Sequence, residues 1–423
     1  MRLWMPKHRI VIGLLSALVL LCALAWLGWH QFHKPSSGQP LSARAQLGHE
    51  IFHDKSLSVS GQQSCASCHL KELGHASASG LENGGPDMQT TGVRNTPSLR
   101  YLWRNTGLHF DEEGKARGGF FWDGRSDSLN AQAAEPFLNP AEMANTDKAS
   151  VVAKLSRASY AAEFERLFGK DIWQHTDKAF DAMTQALAIY QTEDTDFHTF
   201  DSLFDRVAQG QASFTAAQQR GWDLFKDPEK GNCAACHTAE ADKDGKPPLF
   251  TDHSYDNLGV PSSATMLKTQ ALDQGVCTHP LVRTRSDAQS LCGAFKVPGL
   301  RNVAVRRAFF HNAAITDLRE VIAFYATRDT DPKRWYGSRK PLGGVHPSLR
   351  AHVNRDEVPY GQKPGEQPRL SEQDIDDLLA FLHTLTDADL MAITASPRVA
   401  LAAPSVAVRA DRSVANPAAL NNR

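Results

Sequence analysis

Cys65-Ala-Ser-Cys-His69 and Cys233-Ala-Ala-Cys-His237 decide how this chain is read. Each is a C-x-x-C-H motif, in which two thiols form thioethers with haem vinyl groups and the adjacent histidine ligates the iron. His69 and His237 are then the proximal ligands of two covalent haems. The competing reading of C-x-x-C, a zinc or thiol redox motif, needs no histidine directly after it, and here both copies carry one.

The motifs sit in a repeat. Leu41-Ser-Ala-Arg-Ala-Gln-Leu-Gly-His-Glu-Ile-Phe52 aligns without gaps with Phe214-Thr-Ala-Ala-Gln-Gln-Arg-Gly-Trp-Asp-Leu-Phe225, and both stretches run on into a C-x-x-C-H. A hydroxyl residue opens each, and Thr215 with Gln218 makes a capping box. Two related haem domains follow, over 41–205 and 206–388. The fold class is mainly α, two cytochrome c-like domains. Ser371-Glu-Gln-Asp374 caps a run whose Ile375, Leu378, Leu379 and Leu382 share one helical face. From 389 to 423 the chain is rich in Ala and Pro and is expected to form a disordered tail.

Working outward, the 423 residues hold 46 basic and 47 acidic side chains, a formal net charge of −1. That balance argues against nucleic acid as a partner, and a hydrophobic content of 41% excludes wholesale disorder. Residues 1–9 are basic, and Ile10–Trp29 follow without a charge, long enough to span a bilayer core. They read either as a transmembrane anchor or as a cleaved signal, with Ala43-Arg44-Ala45 as a weak cleavage site and 30–40 as a linker. Both readings export the rest, which agrees with haem attachment and predicts a periplasmic location. In such an oxidising compartment Cys277 and Cys292 form a disulfide or, failing that, a buried free pair.

Between the motifs lies Trp122-Asp-Gly-Arg125, with Gln132 and then Glu142 in the stretch that follows. A carboxylate beside bound peroxide can take a proton from one oxygen and return it to the other, and an amide can hold the peroxide by hydrogen bonds. By spacing alone Gln132 and Glu142 read as ordinary surface residues, a site role being the lesser alternative.

The ordered set of C-x-x-C-H, Arg94-Asn-Thr-Pro-Ser-Leu99, Phe121-Trp-Asp-Gly-Arg125, Glu142-Met143, C-x-x-C-H, Val297-Pro-Gly-Leu-Arg-Asn-Val303 and Phe310-His-Asn312 resembles the bacterial dihaem cytochrome c peroxidase/MauG family over about 41–388. The resemblance implies that the N-terminal haem reacts with hydrogen peroxide. It places Trp122, Gln132 and Glu142 between the haems or over that haem's distal face, with Pro136 as a pocket proline. It also implies a bridging calcium held by the Asn95 side chain and the backbone carbonyls of Arg306 and Ala308. The family usually has Thr and Pro at those last two positions.

Two further matches place the chain within the family. Members that need reductive activation carry a distal histidine where this chain has Gly85. His75 reads as a loop histidine, so the first haem is expected to be open. The second haem's distal ligand falls at Tyr325, where peroxidases have Met and MauG-like enzymes have Tyr. A phenolate favours ferric and higher-valent iron, whereas a thioether favours ferrous iron. Tyr325 also follows Leu318, Val321 and Ile322 at helical spacing, so a core role stays open. The tryptophan that MauG has two residues before its second motif is Gly231 here, leaving Trp122 as the candidate relay. The expected function is a peroxide-using dihaem oxidoreductase that oxidises a small redox protein or an aromatic side chain of a partner. The alternative is a non-catalytic, membrane-tethered electron carrier.

Overall fold

In a computed structural model of the protein, the described residues are 40–394 apart from 270–271 and 338–341. The expected anchor or signal at 10–29 and most of the expected tail lie outside them. Among the described residues no helix is long and apolar enough to cross a membrane.

The principal helices are α1 (Ala43–His53), α2 (Leu129–Leu138), α3 (Thr176–Glu193), α4 (Ala216–Lys226), α5 (Leu318–Thr327), α6 (Glu372–His383) and α7 (Ala388–Thr394). Among the described residues strands are confined to three short antiparallel pairs: β1 (Asn83–Gly84) with β2 (Thr90–Thr91), β3 (His109–Phe110) with β4 (Ala116–Arg117), and β5 (Tyr255–Asp256) with β6 (Phe295–Lys296). The mainly α expectation holds.

The repeat read in the sequence makes the same contact twice. At Gly48 of α1 a Cβ would stand 2.1 Å from the Ala186 carbonyl oxygen of α3 and 2.8 Å from Tyr190 Cβ. At Gly221 of α4 it would stand 1.9 Å from the Asp377 carbonyl oxygen of α6 and 2.8 Å from Phe381 Cβ. Both glycines therefore let two helix backbones touch, and both partner surfaces are residues four apart. Around the second crossing Phe225, Phe250, Ile375, Leu378 and Phe381 form a core with almost no solvent exposure. The Thr215–Gln218 and Ser371–Asp374 capping boxes are both formed.

The described residues from Ala43 onward pack as one unit, without a break at 205/206. Buried ion pairs tie the two halves: Asp205 with Arg301 at 2.8 Å, and Arg100 with Asp387 at 2.7 Å. The tail begins later than expected. Asp389 pairs with Arg100 and Leu390 is fully buried, so 388–394 continue the fold as α7. Composition missed this because one buried leucine and one acid suffice to anchor so short a helix. Cys277 and Cys292 are joined as a disulfide, with Cα atoms 4.9 Å apart.

Candidate haem centres and the span between them

Cys65–Cys68 form one helical turn, opened by a Ser64/Ser67 capping box and closed by His69, whose N–H donates to the Cys65 carbonyl at 2.9 Å. His69 Nδ1 lies 3.1 Å from the His75 carbonyl oxygen, and His237 Nδ1 lies 2.9 Å from that of Phe250. A carbonyl only accepts, so each Nδ1 carries the proton and each Nε2 keeps its lone pair free for a metal. Burial reinforces this by lowering both histidine pKa values, that of His69 to about 4. All four motif cysteines are outside disulfides, and burial pushes their thiols up to about 12. Among the described residues no group of three or more His, Cys, Asp or Glu is placed to hold a metal ion. A zinc site would need such convergence. Two thiols presented for alkylation, beside one histidine with a free Nε2, fit covalent haem instead.

The larger cavity is bordered by Cys233, Cys236 and His237 and, opposite in the sequence, by Tyr325 of α5. Leu318 and Ile322 of the same helix belong to the core and line the cavity with Tyr325, which stacks at 6.0 Å on Tyr360, another lining residue. Burial raises the Tyr325 phenol well above its ordinary pKa, the neighbouring Asp256 adding to the effect.

Trp122 borders this cavity and also a smaller one that it shares with Gln132 of α2. Its Nε1 donates to the Asn95 carbonyl at 2.7 Å, and the side chain is 8% exposed. Pro136 lies inside α2, and its carbonyl accepts from Met143 N–H at 3.1 Å, fixing the turn that carries Glu142. Glu142 Oε1 accepts from Asn139 Nδ2 at 2.8 Å. Burial raises the Glu142 pKa; Arg125 opposes the shift and Glu135 adds to it. Its charge is felt at Cys65 and Cys68.

The loop after the first motif closes on the backbone of Glu142. Gly85 N–H donates to the Glu142 carbonyl at 2.9 Å, and Gly85 has φ +82°, a conformation costly for a histidine. His75 is also accounted for: its ring stacks on Phe197 at 4.2 Å and its carbonyl supports His69. At Gly231 a Cβ would lie 2.5 Å from the Leu224 carbonyl oxygen, so this backbone leaves no room for a tryptophan there.

At the positions tied to calcium, Asn95 Nδ2 donates to the carbonyls of Ala308 (3.1 Å) and Phe310 (3.0 Å). Arg306 turns its guanidinium to the Thr96 carbonyl at 3.3 Å.

Sequence reasoning missed Lys296. It borders both cavities, donates from Nζ to the Gly119 carbonyl at 2.5 Å, and donates from its backbone N–H to the Trp122 carbonyl at 2.8 Å. Burial lowers its pKa to about 7. The signal was its place immediately before Val297-Pro298, in a motif read only from the valine onward.

Residues 42–213 match the family Di-haem cytochrome c peroxidase. Methylamine utilization protein MauG of Paracoccus denitrificans is 38% identical over 373 residues, covering 84% of this chain and 92% of that protein. Cytochrome c551 peroxidase of Nitrosomonas europaea is 29% identical, covering 75% and 84%. Among solved structures, the diheme peroxidase BthA from Burkholderia thailandensis superposes with a TM-score of 0.77 at 33% identity, covering 83% of this chain and 87% of that one. The motifs and these likenesses agree: the chain belongs to the bacterial dihaem cytochrome c peroxidase/MauG family, on its MauG-like side, and is a dihaem oxidoreductase with two c-type haems.

Proposed function

We propose that this protein reduces hydrogen peroxide at the haem of His69 and draws the electrons, through the haem of His237, from a protein partner. That partner is a small redox protein or a polypeptide whose aromatic side chain is oxidised. The observation that carries this reading is the position of Trp122, which borders both cavities while Gln132 shares the smaller one with it. Residues 41–205 would be the peroxide-reacting half and 206–388 the half facing the partner.

Haem iron would supply the site where peroxide binds and the route by which electrons reach it. Cys65, Cys68 and His69 would hold one haem; Cys233, Cys236, His237 and Tyr325 would hold the other. Gln132, which lines the smaller cavity with Trp122, would donate hydrogen bonds to peroxide. Glu142, whose Oε1 is tied to Asn139, uses its other oxygen to take the proton from one peroxide oxygen and deliver it to the other. Two electrons and two further protons complete the conversion of each peroxide to two waters. Trp122, fixed through Nε1, lies on the path between the two halves. The tight Gly84–Gly85 turn against Ala141 and Glu142 keeps a distal side chain from this face, so no prior reduction is needed.

Calcium has no part in this mechanism. Asn95 points its amide hydrogens, not its oxygen, at the Ala308 carbonyl, and Arg306 adds a cation beside it, so these residues do not fit the ion. An exported, oxidising location, the periplasm, is supported by the two haem motifs and the Cys277–Cys292 disulfide. The test is a titration of the fully ferric protein with peroxide, followed by visible and electron paramagnetic resonance spectra. Stoichiometric reaction without a reductant is expected; an inert ferric protein that stays six-coordinate at both haems would make it an electron carrier.

A further inference from the structure

We propose that Arg306 replaces the calcium ion of the family: a guanidinium, not a divalent cation, supplies the fixed positive charge between the cavity of Cys233, Cys236 and His237 and the smaller one lined by Trp122 and Gln132. The first argument is the direction of the Asn95 amide. Its Nδ2 hydrogens satisfy the carbonyls of Ala308 and Phe310, at 3.1 and 3.0 Å. Calcium binds through oxygen lone pairs. To receive it, the amide would have to turn over and set Oδ1 against those two carbonyl oxygens, an arrangement tolerable only with a cation between them.

The second argument is charge. Arg306 borders both cavities, its Nη2 sits on the carbonyl of Thr96, next to Asn95, and its charge is felt at His69. No carboxylate among the described residues pairs with it, and none of the positions assigned to the ion is acidic. A divalent cation would thus rest on neutral oxygens beside a guanidinium, in surroundings where like charges are weakly screened. An arginine guanidinium keeps its charge at neutral pH.

The third argument is that the positioning work is already done without an ion. Asn95 N–H donates to the His311 carbonyl at 2.7 Å, and the Asn95 carbonyl takes Trp122 Nε1–H at 2.7 Å. The span that carries Trp122 is closed by hydrogen bonds among these residues.

The experiment uses the holoprotein, purified in calcium-containing buffer and then washed with chelator. Calcium per haem is measured by mass spectrometry, and the optical and electron paramagnetic resonance spectra are recorded with and without chelator. No stoichiometric calcium and unchanged spectra are expected. Calcium retained at one per chain, or a chelator-induced spectral change that added calcium reverses, would overturn the proposal. In a second arm, Arg306→Thr with Ala308→Pro should acquire stoichiometric calcium and chelator-sensitive spectra, whereas Arg306→Lys should remain indifferent to both. A folded double variant that takes up no calcium also overturns it, and if that variant fails to fold the wild-type arm decides alone. The proposal rests on the two-haem reading only through the spectra. Failure of the peroxide reading would appear as an unreactive ferric protein and would leave the calcium content as it is.

Discussion

At Glu142 burial and hydrogen bonding work against each other: desolvation raises the carboxyl pKa, and the Asn139 amide and Arg125 pull it back. The carboxylate form is the one that accepts a proton. Peroxide reduction should therefore rise with pH through an apparent pKa above the ordinary glutamate value of about 4.3. Glu142→Gln should slow the reaction with peroxide by about 10²–10⁴-fold, leave haem content unchanged and flatten that pH profile. An unaltered rate in stopped-flow would remove Glu142 from the chemistry. Tyr325 is the other residue on which the branch of the family turns. Tyr325→Phe should alter the spin state of the His237 haem alone, read by electron paramagnetic resonance, because only that cavity contains the phenol. A spectrum identical to wild type would return Tyr325 to the apolar face of α5.

At the level of elements, legibility depended on whether a signal was local. The capping residues Thr215 and Ser371, the motif cysteines and the apolar face of α6 were all readable, because each is set by neighbours within one or two turns. The repeated Gly48 and Gly221 were visible as identities. Their reason appears only when the partner helix, 138 or more residues away, is in place. Adding a methyl at Gly221 forces α4 off α6. Gly221→Ala should destabilise the protein by about 1–3 kcal/mol, despite the helix propensity it gains. A thermal melt of the holoprotein at or above the wild-type midpoint would show that the helices can slide apart without penalty. Lys296 stayed hidden for the same nonlocal reason: strand pairing of β5 with β6 brings it to the Gly119–Trp122 segment, and nothing in its own neighbourhood announces that.

Across the whole molecule, the two halves are held by ion pairs removed from water. The Asp205 and Arg301 side chains are each only 2% exposed, with two hydrogen bonds of 2.8 Å between them and a further one from the Ser202 hydroxyl at 2.6 Å. Burial alone would raise the Asp205 pKa, but Arg301 and Ser202 outweigh it and hold the carboxyl below its ordinary value. The sign of the pH effect follows. A depressed aspartate contributes stability that is complete above the unfolded pKa of about 3.9 and is lost as pH falls through the folded value. Asp205→Asn leaves the Arg301 guanidinium buried without its counter-charge and should cost about 3–5 kcal/mol at neutral pH. Asp205→Asn with Arg301→Met removes both charges and should recover most of that loss, while unfolding less steeply than wild type as pH drops below about 4. Denaturant titrations across that pH range measure both effects. If the double variant is as unstable as the single one, the two halves are joined by the shape of this contact and not by its charge.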